Sequence, residues 1–292
     1  MLTVTDSPYL VPFDQSFSLS QHSTVVDDLQ KNSFYKKRYK GNRKKLYKQQ
    51  QKLYADNKFS LLLIFQAMDA AGKDSTIRHV LRGVNPAGFQ VSSFKQPSKR
   101  ELDHDFLWRT TKQLPQRGRI GVFNRSYYEE VLVVKVHPQF LNSQQLPDIN
   151  GISHNTDSFW QNRYRSINEH EHHLANNGTI IRKFFLNVSR EEQHRRFKKR
   201  IEQASKNWKF SPGDLRESEL WDQYMDAYEA CLNNTSTSWA PWYCIPADNK
   251  PAMRAAVSDI ILETLESLNL SYPSLDPDIQ ENLVTYKKQL IA

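Results

Sequence analysis

The segment Gln66-Ala-Met-Asp-Ala-Ala-Gly-Lys-Asp-Ser-Thr76 carries the residue types best suited to chemistry. It follows a short apolar run, Leu61-Leu-Leu-Ile-Phe65, and precedes a helix-forming stretch. A strand, a glycine-lysine turn and a helix in that order are what a phosphate-binding loop requires. Backbone N–H groups at the turn and the helix start face an anion, and Lys73 adds a mobile positive charge. Gly72 permits a backbone shape that a side chain would block. On this reading Ala70, Ala71, Gly72, Lys73, Asp74 and Ser75 contact phosphate. The pattern G-x-x-x-x-G-K-[ST] is met imperfectly. Ala67 replaces the first glycine, and Asp74 replaces the metal-binding hydroxyl, with Ser75 and Thr76 one and two places later. The competing reading is an ordinary strand–turn–helix with a chance Gly-Lys.

Asp69 is out of place in an anion nest, because a carboxylate repels phosphate. A divalent cation between them removes the conflict, and Mg2+ favours one or two carboxylates plus phosphate oxygens. Asp69 is therefore expected to be a metal ligand; the plainer alternative is a turn or cap residue. A second polar set lies in Gly121-Val-Phe-Asn-Arg-Ser-Tyr-Tyr-Glu-Glu130. Here a strand delivers polar residues to the edge where open α/β sheets bind ligands. An acid after this strand would hold metal, but the residue is Asn124. Arg125 and Glu129 either reach that edge or are solvated surface charges.

The elements that must position these groups alternate. Strands are expected at 61–66, 89–94, 119–123, 179–187 and 242–246. Helices are expected at 26–52, 73–82, 99–114, 159–176, 189–201, 217–232 and 250–268. The helix at 189 opens with Ser189-Arg-Glu-Glu192, a capping box. Such alternation predicts βαβ units, hence an α/β fold with a parallel sheet and helices on both faces. Residues 1–30 read as an N-terminal arm, extended over 1–25. Residues 31–270 read as one catalytic domain, and 271–292 as a tail with a short helix.

The formal net charge is +8, and ten positive charges lie between Lys31 and Lys52 with no acid between Asp28 and Asp56. Without that stretch the chain is slightly acidic, so the excess is local and suggests a local polyanion or a solvated arm. A second basic cluster runs from Arg182 to Lys209, ten cations against three glutamates. Arg182, Lys183, Lys206 and Lys209 are its candidates for phosphate binding. No apolar run approaches the roughly 18 residues of a membrane helix, and no secretory leader is expected. Two cysteines, Cys231 and Cys244, make neither a disulfide framework nor a zinc site. A cytoplasmic protein without membrane association is the expectation. His170-Glu-His-His173 lacks the spacing of a zinc helix. Trp160, Trp221 and Trp242 read as core.

Five motifs occur in order: Ala67-Met-Asp-Ala-Ala-Gly-Lys-Asp-Ser-Thr-Ile77, Gly83-Val-Asn-Pro86, Leu102-Asp-His-Asp-Phe-Leu-Trp-Arg109, Phe123-Asn-Arg-Ser-Tyr-Tyr-Glu-Glu-Val-Leu-Val133, and Ala240-Pro-Trp-Tyr243 with Ile245-Pro-Ala-Asp-Asn-Lys250. Together they resemble family 2 polyphosphate kinases from Ser33 to Leu268, and most resemble the third class, associated with phosphorylating both AMP and ADP. The resemblance implies a P-loop kinase-like three-layer fold and a helical lid, for which 206–216 is the candidate. It implies Mg2+ as cofactor, inorganic polyphosphate with nucleoside mono- and diphosphates as substrates, and a homo-oligomer. It makes Asp69 the metal-linked aspartate, Lys73 the phosphate-binding lysine and Arg125 a contact of the transferring phosphates. Glu129 stands where the first class has asparagine, and is expected to act through a second metal or through the acceptor's phosphates. Asn124 departs from the first class's Asp-Arg-Ser, so a metal contact there is not carried over.

The chemistry is consistent with that reading. A phosphate acceptor is already ionised at neutral pH, so alignment and charge neutralisation replace a general base. An ATP-dependent nucleotide or small-molecule kinase would use the same loop. A nucleic-acid-binding P-loop protein would instead stack bases on Tyr35, Tyr39 or Tyr47, but no recognised RNA- or DNA-binding pattern accompanies them. If the 31–52 stretch is an entry track, neutralising Lys36, Lys37, Lys44 and Lys45 together will weaken binding of long polyphosphate more than short. Equal losses in a filter-binding titration would show a solvated arm instead.

Overall fold

Residues 60–66 are buried at all seven positions, which only a strand covered on both faces can sustain. The computed structural model describes residues 4–26, 30–147 and 156–291. Its elements in chain order are α1 (Asn32–Asp56), β1 (Ser60–Gln66), α2 (Lys73–Val80), β2 (Phe89–Ser93), α3 (Lys99–Leu102), α4 (Trp108–Thr111), β3 (Ile120–Asn124), α5 (Val133–Val136), α6 (Asp157–Asn176), β4 (Thr179–Asn187), α7 (Arg190–Glu202), α8 (Ala204–Asn207), α9 (Pro212–Glu219), α10 (Trp221–Thr235), β5 (Trp242–Pro246), α11 (Lys250–Ser267) and α12 (Pro277–Gln289). Short 3-10 turns intervene, one of them at Tyr127–Val131.

The five strands form one parallel sheet in the order β2-β3-β1-β4-β5. From β1 the chain moves out to β2, returns in β3, then crosses to the other side of β1 with β4. The crevice at the C-terminal end of β1 is the position where such sheets bind ligands. The register sets Phe65 opposite Asn124 on one side and Phe184 on the other. The loops after β1 and β3 therefore start level with each other.

Helices cover both faces, as expected of a three-layer α/β fold. On one side α11 packs against α1, α2, β4 and β5; on the other α6 packs against α10 and β4. In α1, Tyr35, Tyr39, Asn42, Leu46, Gln50 and Leu53 are buried. They recur every three or four residues, so one face docks and the lysines stay in solvent. Arg38 and Asn42 fix the packing through Asp259, at 3.0 and 2.6 Å.

One expectation is corrected and another is extended. The helix expected over 99–114 is two single turns, α3 and α4. Asp105 interrupts it, because its carboxylate accepts from the N–H groups of Leu107 and Trp108 and starts a new turn. The arm, expected as an extended segment, also docks on the fold, a contact that the sequence reading did not address. Val11, Phe17 and Leu19 are buried, and Leu10 bridges Tyr243 antiparallel. The Val11 N–H donates to the Trp242 carbonyl and the Cys244 N–H to the Tyr9 carbonyl. The arm thereby covers the β5 edge, which would otherwise present open backbone groups. Arm residues 1–3, the stretch 27–29 where the first helix was expected to begin, and the last residue of the tail lie outside the described residues.

Gly121 on β3 allows a close approach. A Cβ there would lie 2.8 Å from the Pro115 ring. Gly121→Ala is expected to cost about 1–3 kcal/mol by overpacking, and pairing it with Pro115→Ala to recover much of that, measured by thermal denaturation.

Candidate active site

The loop after β1 takes its shape from two left-handed residues, Ala70 at φ 62° and Gly72 at φ 105°. A non-glycine residue in that region costs free energy and persists only where surroundings enforce it. Here α7 enforces it. Arg196 donates to the carbonyls of Ala70 at 3.1 Å and Ala71 at 2.6 Å, and also to that of Ala247 at 2.7 Å. Gln193 donates to the Asp69 carbonyl at 3.0 Å. A trans peptide points its N–H opposite its carbonyl, so holding the Ala71 carbonyl turns the Gly72 N–H away from α7. The Ser75 hydroxyl donates to the Gly72 carbonyl at 2.9 Å and closes the first turn of α2. Lys73 folds back to donate to the Ala67 carbonyl at 3.2 Å. Burial, then the neighbouring Arg125, lowers its pKa.

Arg125 also sits in the left-handed region, at φ 63°, anchored by its N–H to the Phe65 carbonyl at 3.1 Å. Its guanidinium lies 3.1 Å from Asp69 and 3.5 Å from Glu129. Glu129 first, and Asp69 after it, raise the pKa of Arg125. Asn124 does not join them. Its amide donates to Asp74 at 2.6 Å, placing Asp74 at the strand edge rather than beside Asp69.

Two cavities of unlike character meet here. The first, of about 680 Å³, is lined by Lys73, Lys95, Arg125, Arg196, Lys199, Arg200, Lys206, Lys209 and Lys250 against only Asp69 and Asp74. The Lys250 pKa falls to about 8 through burial and the nearby Arg196 and Arg254. The second, of about 320 Å³, combines walls from Leu102, Val133, Val134, Phe140, Tyr224 and Tyr228 with the carboxylates of Asp69, Glu129, Glu130, Asp214 and Glu217 and the cations Lys95, Arg109 and Arg125. Asp69, Lys95, Gln96 and Arg125 line both cavities. The α9 helix closes the second, held by Asp214 to Arg200 at 2.9 Å and by Glu217 to His137 at 2.8 Å and Tyr224 at 2.6 Å. Burial and then Asp69 raise the Asp214 pKa.

Of the residues singled out from sequence, Asp69, Ala70, Gly72, Lys73, Asp74, Ser75, Arg125, Lys206 and Lys209 line the cationic cavity, and Glu129 lines the second one. Ala71 is buried behind the loop. Arg182 and Lys183 are corrected: neither reaches phosphate. Both lie inside β4, where every residue after the first is buried. Arg182 donates to Thr264 at 3.0 Å, and Lys183 pairs with Glu171 at 2.6 Å. Sequence reasoning passed over Lys95, Arg196, Lys199, Arg200 and Lys250. Lys95 follows the end of β2, so the strand-edge rule reaches it. Arg196, Lys199 and Arg200 share one face of α7 by spacing, and Lys250 closes the last quoted motif.

Trp160 and Trp242 are buried as expected, as are both cysteines, whose thiols burial pushes up to about 12. Among the described residues no group of three or more His, Cys, Asp and Glu stands together as a metal cage.

Comparison with known proteins agrees with this geometry. The family model described as Polyphosphate kinase 2 (PPK2) matches residues 29–272. The chain is 58% identical over 242 residues to the ADP-polyphosphate phosphotransferase of Rhodopseudomonas palustris, covering 83% of each. It is 47% identical over 230 residues to the AMP/ADP-polyphosphate phosphotransferase of Meiothermus ruber, covering 79% of this chain and 80% of that one. The crystal structure of polyphosphate kinase 2 from Arthrobacter aurescens superposes with a TM-score of 0.83 at 37% identity, over 93% of both chains. This chain belongs to the polyphosphate kinase 2 family.

Proposed function

We propose that the protein transfers a terminal phosphoryl group from inorganic polyphosphate to ADP and to AMP, with Mg2+ bound at the site. The observation that carries this reading is the pair of unlike cavities joined at Asp69 and Arg125. A cavity rich in cations suits a long inorganic anion, whereas one that combines aliphatic and aromatic walls with five carboxylates and only three cations suits a nucleoside better than a polyanion. The acceptor's terminal phosphate then lies toward the join and the donor's end approaches from the other side. Both relatives' names include ADP as acceptor, and one adds AMP.

The residues act by alignment and neutralisation. Lys73 and the loop N–H groups hold the donor's terminal phosphates. Arg125, held between two carboxylates, bridges donor and acceptor oxygens in an in-line transfer. No side chain needs to abstract a proton, since the acceptor oxygen is ionised. A phosphoanhydride is broken and another formed, so the reverse reaction operates too. Asp69 and Glu129 fit Mg2+ through their donor chemistry: two carboxylates beside a phosphate site are what this ion takes, with phosphate and water filling the rest. When bound, Mg2+ supplies charge neutralisation. We place the enzyme in the cytoplasm as a homo-oligomer. Among the described residues no helix is long and apolar enough to cross a membrane.

ATP formation from ADP, polyphosphate and Mg2+ with no ATP supplied tests the reading; folded protein that makes none would overturn it and favour an ATP-dependent kinase. In the same assay Asp69→Asn is expected to lower kcat by about 100-fold and to raise the Mg2+ concentration giving half-maximal rate. Lys250, with its pKa near 8, is partly neutral in the free protein at that pH. Polyphosphate favours its charged form, so binding takes up protons and affinity falls as pH rises from about 7 to 9. Calorimetry at pH 8 in buffers of different ionisation enthalpy is expected to show proton uptake that Lys250→Met reduces.

A further inference from the structure

Directly behind the join lies a buried polar network that the proposed reaction does not use. The 3-10 turn Tyr127–Val131 carries Glu129, and Tyr127 and Tyr128 on it point inward, 1% and 0% exposed. Both hydroxyls donate to one oxygen of Glu171 on α6, each at 2.8 Å. Lys183 on β4 donates to the other oxygen at 2.6 Å, to the Tyr128 hydroxyl at 2.7 Å and to the Thr235 carbonyl at 2.7 Å. The side chains of Lys183 and Glu171 are fully buried.

Such a pair is a poor way to add stability. Taking two charges out of water costs about as much as their attraction returns, and well-packed apolar residues often serve as well or better. What a saturated network does supply is direction. Each donor has one place to go, so the two rings are fixed rather than merely packed. On the far side of Glu129, Glu130 is held in the same manner, by Arg163 and by Gln144, each at 2.7 Å. Glu129 stands between these anchors and turns to Arg125. Arg125 is itself in a strained backbone conformation, two residues before Tyr127.

We propose that Glu171 and Lys183 are positioning residues. Through the hydroxyls of Tyr127 and Tyr128 they hold the Arg125–Glu129 pair at the junction of the donor and acceptor cavities. The inference rests on the reaction proposed above, and assigns Lys183 a role different from the phosphate contact expected from sequence.

The test uses full-length protein and steady-state kinetics with ADP and polyphosphate. Glu171→Gln combined with Lys183→Met keeps the volume and leaves no unpaired buried charge, so the fold is expected to survive with Tm close to that of the wild type. Its kcat is expected to fall by about 10- to 100-fold, as for a misplaced reacting group, with KM for polyphosphate changed less than about twofold. Tyr127→Phe and Tyr128→Phe each remove one hydroxyl and leave the ion pair in place; each is expected to lower kcat several-fold with Tm nearly unchanged, and they decide the question if the double variant does not fold. Wild-type kcat in folded variants would overturn the proposal, as would a loss that appears wholly in KM for polyphosphate. Absence of turnover by the wild type itself would instead overturn the reaction, so the two failures are distinguishable.

Discussion

The contact on which the site depends is a main-chain one. The Arg125 N–H donates to the Phe65 carbonyl at 3.1 Å, the last rung between β1 and β3. It ties the exit of one strand to the exit of its neighbour. The loop bearing Asp69 and the turn bearing Glu129 then leave the sheet from the same height. Only from that geometry can Arg125 reach Asp69 at 3.1 Å while remaining near Glu129. Arg196 completes the arrangement from α7, joining the carbonyls of the first loop to that of Ala247 just after β5. Three strand ends are thus locked together by one main-chain bond and the Arg196 guanidinium.

What was legible in the sequence was what is local. The phosphate loop is contiguous, and its strand and helix flank it, so pattern alone reached Asp69, Lys73 and their neighbours. Arg125 and Glu129 followed from a strand end and a family motif. Arg196 and Lys250 carried a spacing or motif signal, but their approach to the loop, Arg196 to the Ala70 and Ala71 carbonyls and Lys250 to Gly72, depends on how α7 and α11 pack. Lys183 shows the opposite error. A lysine in a basic run looks like a surface charge, yet its strand is covered on both faces and its partner Glu171 lies twelve residues earlier on another element. The docking of the arm was not legible for a related reason: its pairing with β5 follows backbone geometry and leaves no period. The break at Asp105 is a local competition between a side-chain cap and a continuing helix, which helical spacing conceals.

The cationic cavity also sets the protein's own state. Nine lysines and arginines face two carboxylates, so the free site is held under mutual repulsion. The lowered pKa of Lys250 reflects it through Arg196, Arg254 and Lys206, after the larger effect of burial. A polyanion relieves that repulsion, which links occupancy to stability. The Arg125 guanidinium is treated in the opposite way. Its two carboxylates hold it charged and in place before any substrate arrives, which is preorganisation at the point where transfer is proposed.

The docking of the arm on β5 has a consequence for how the chain is made. Residues 9–11 leave the ribosome more than two hundred residues before their partners Trp242, Tyr243 and Cys244. The outer strand and its cover therefore pair only late in synthesis, with α11 still to follow and pack against α1. A nascent chain stopped before β5 can hold the arm through Phe17 and Leu19 on Asn233 and Glu229 of α10, but its β4 edge has nothing to shield it, an arrangement open to mispairing. Residues 9–11 thus work as a latch that only a chain synthesised past β5 can engage.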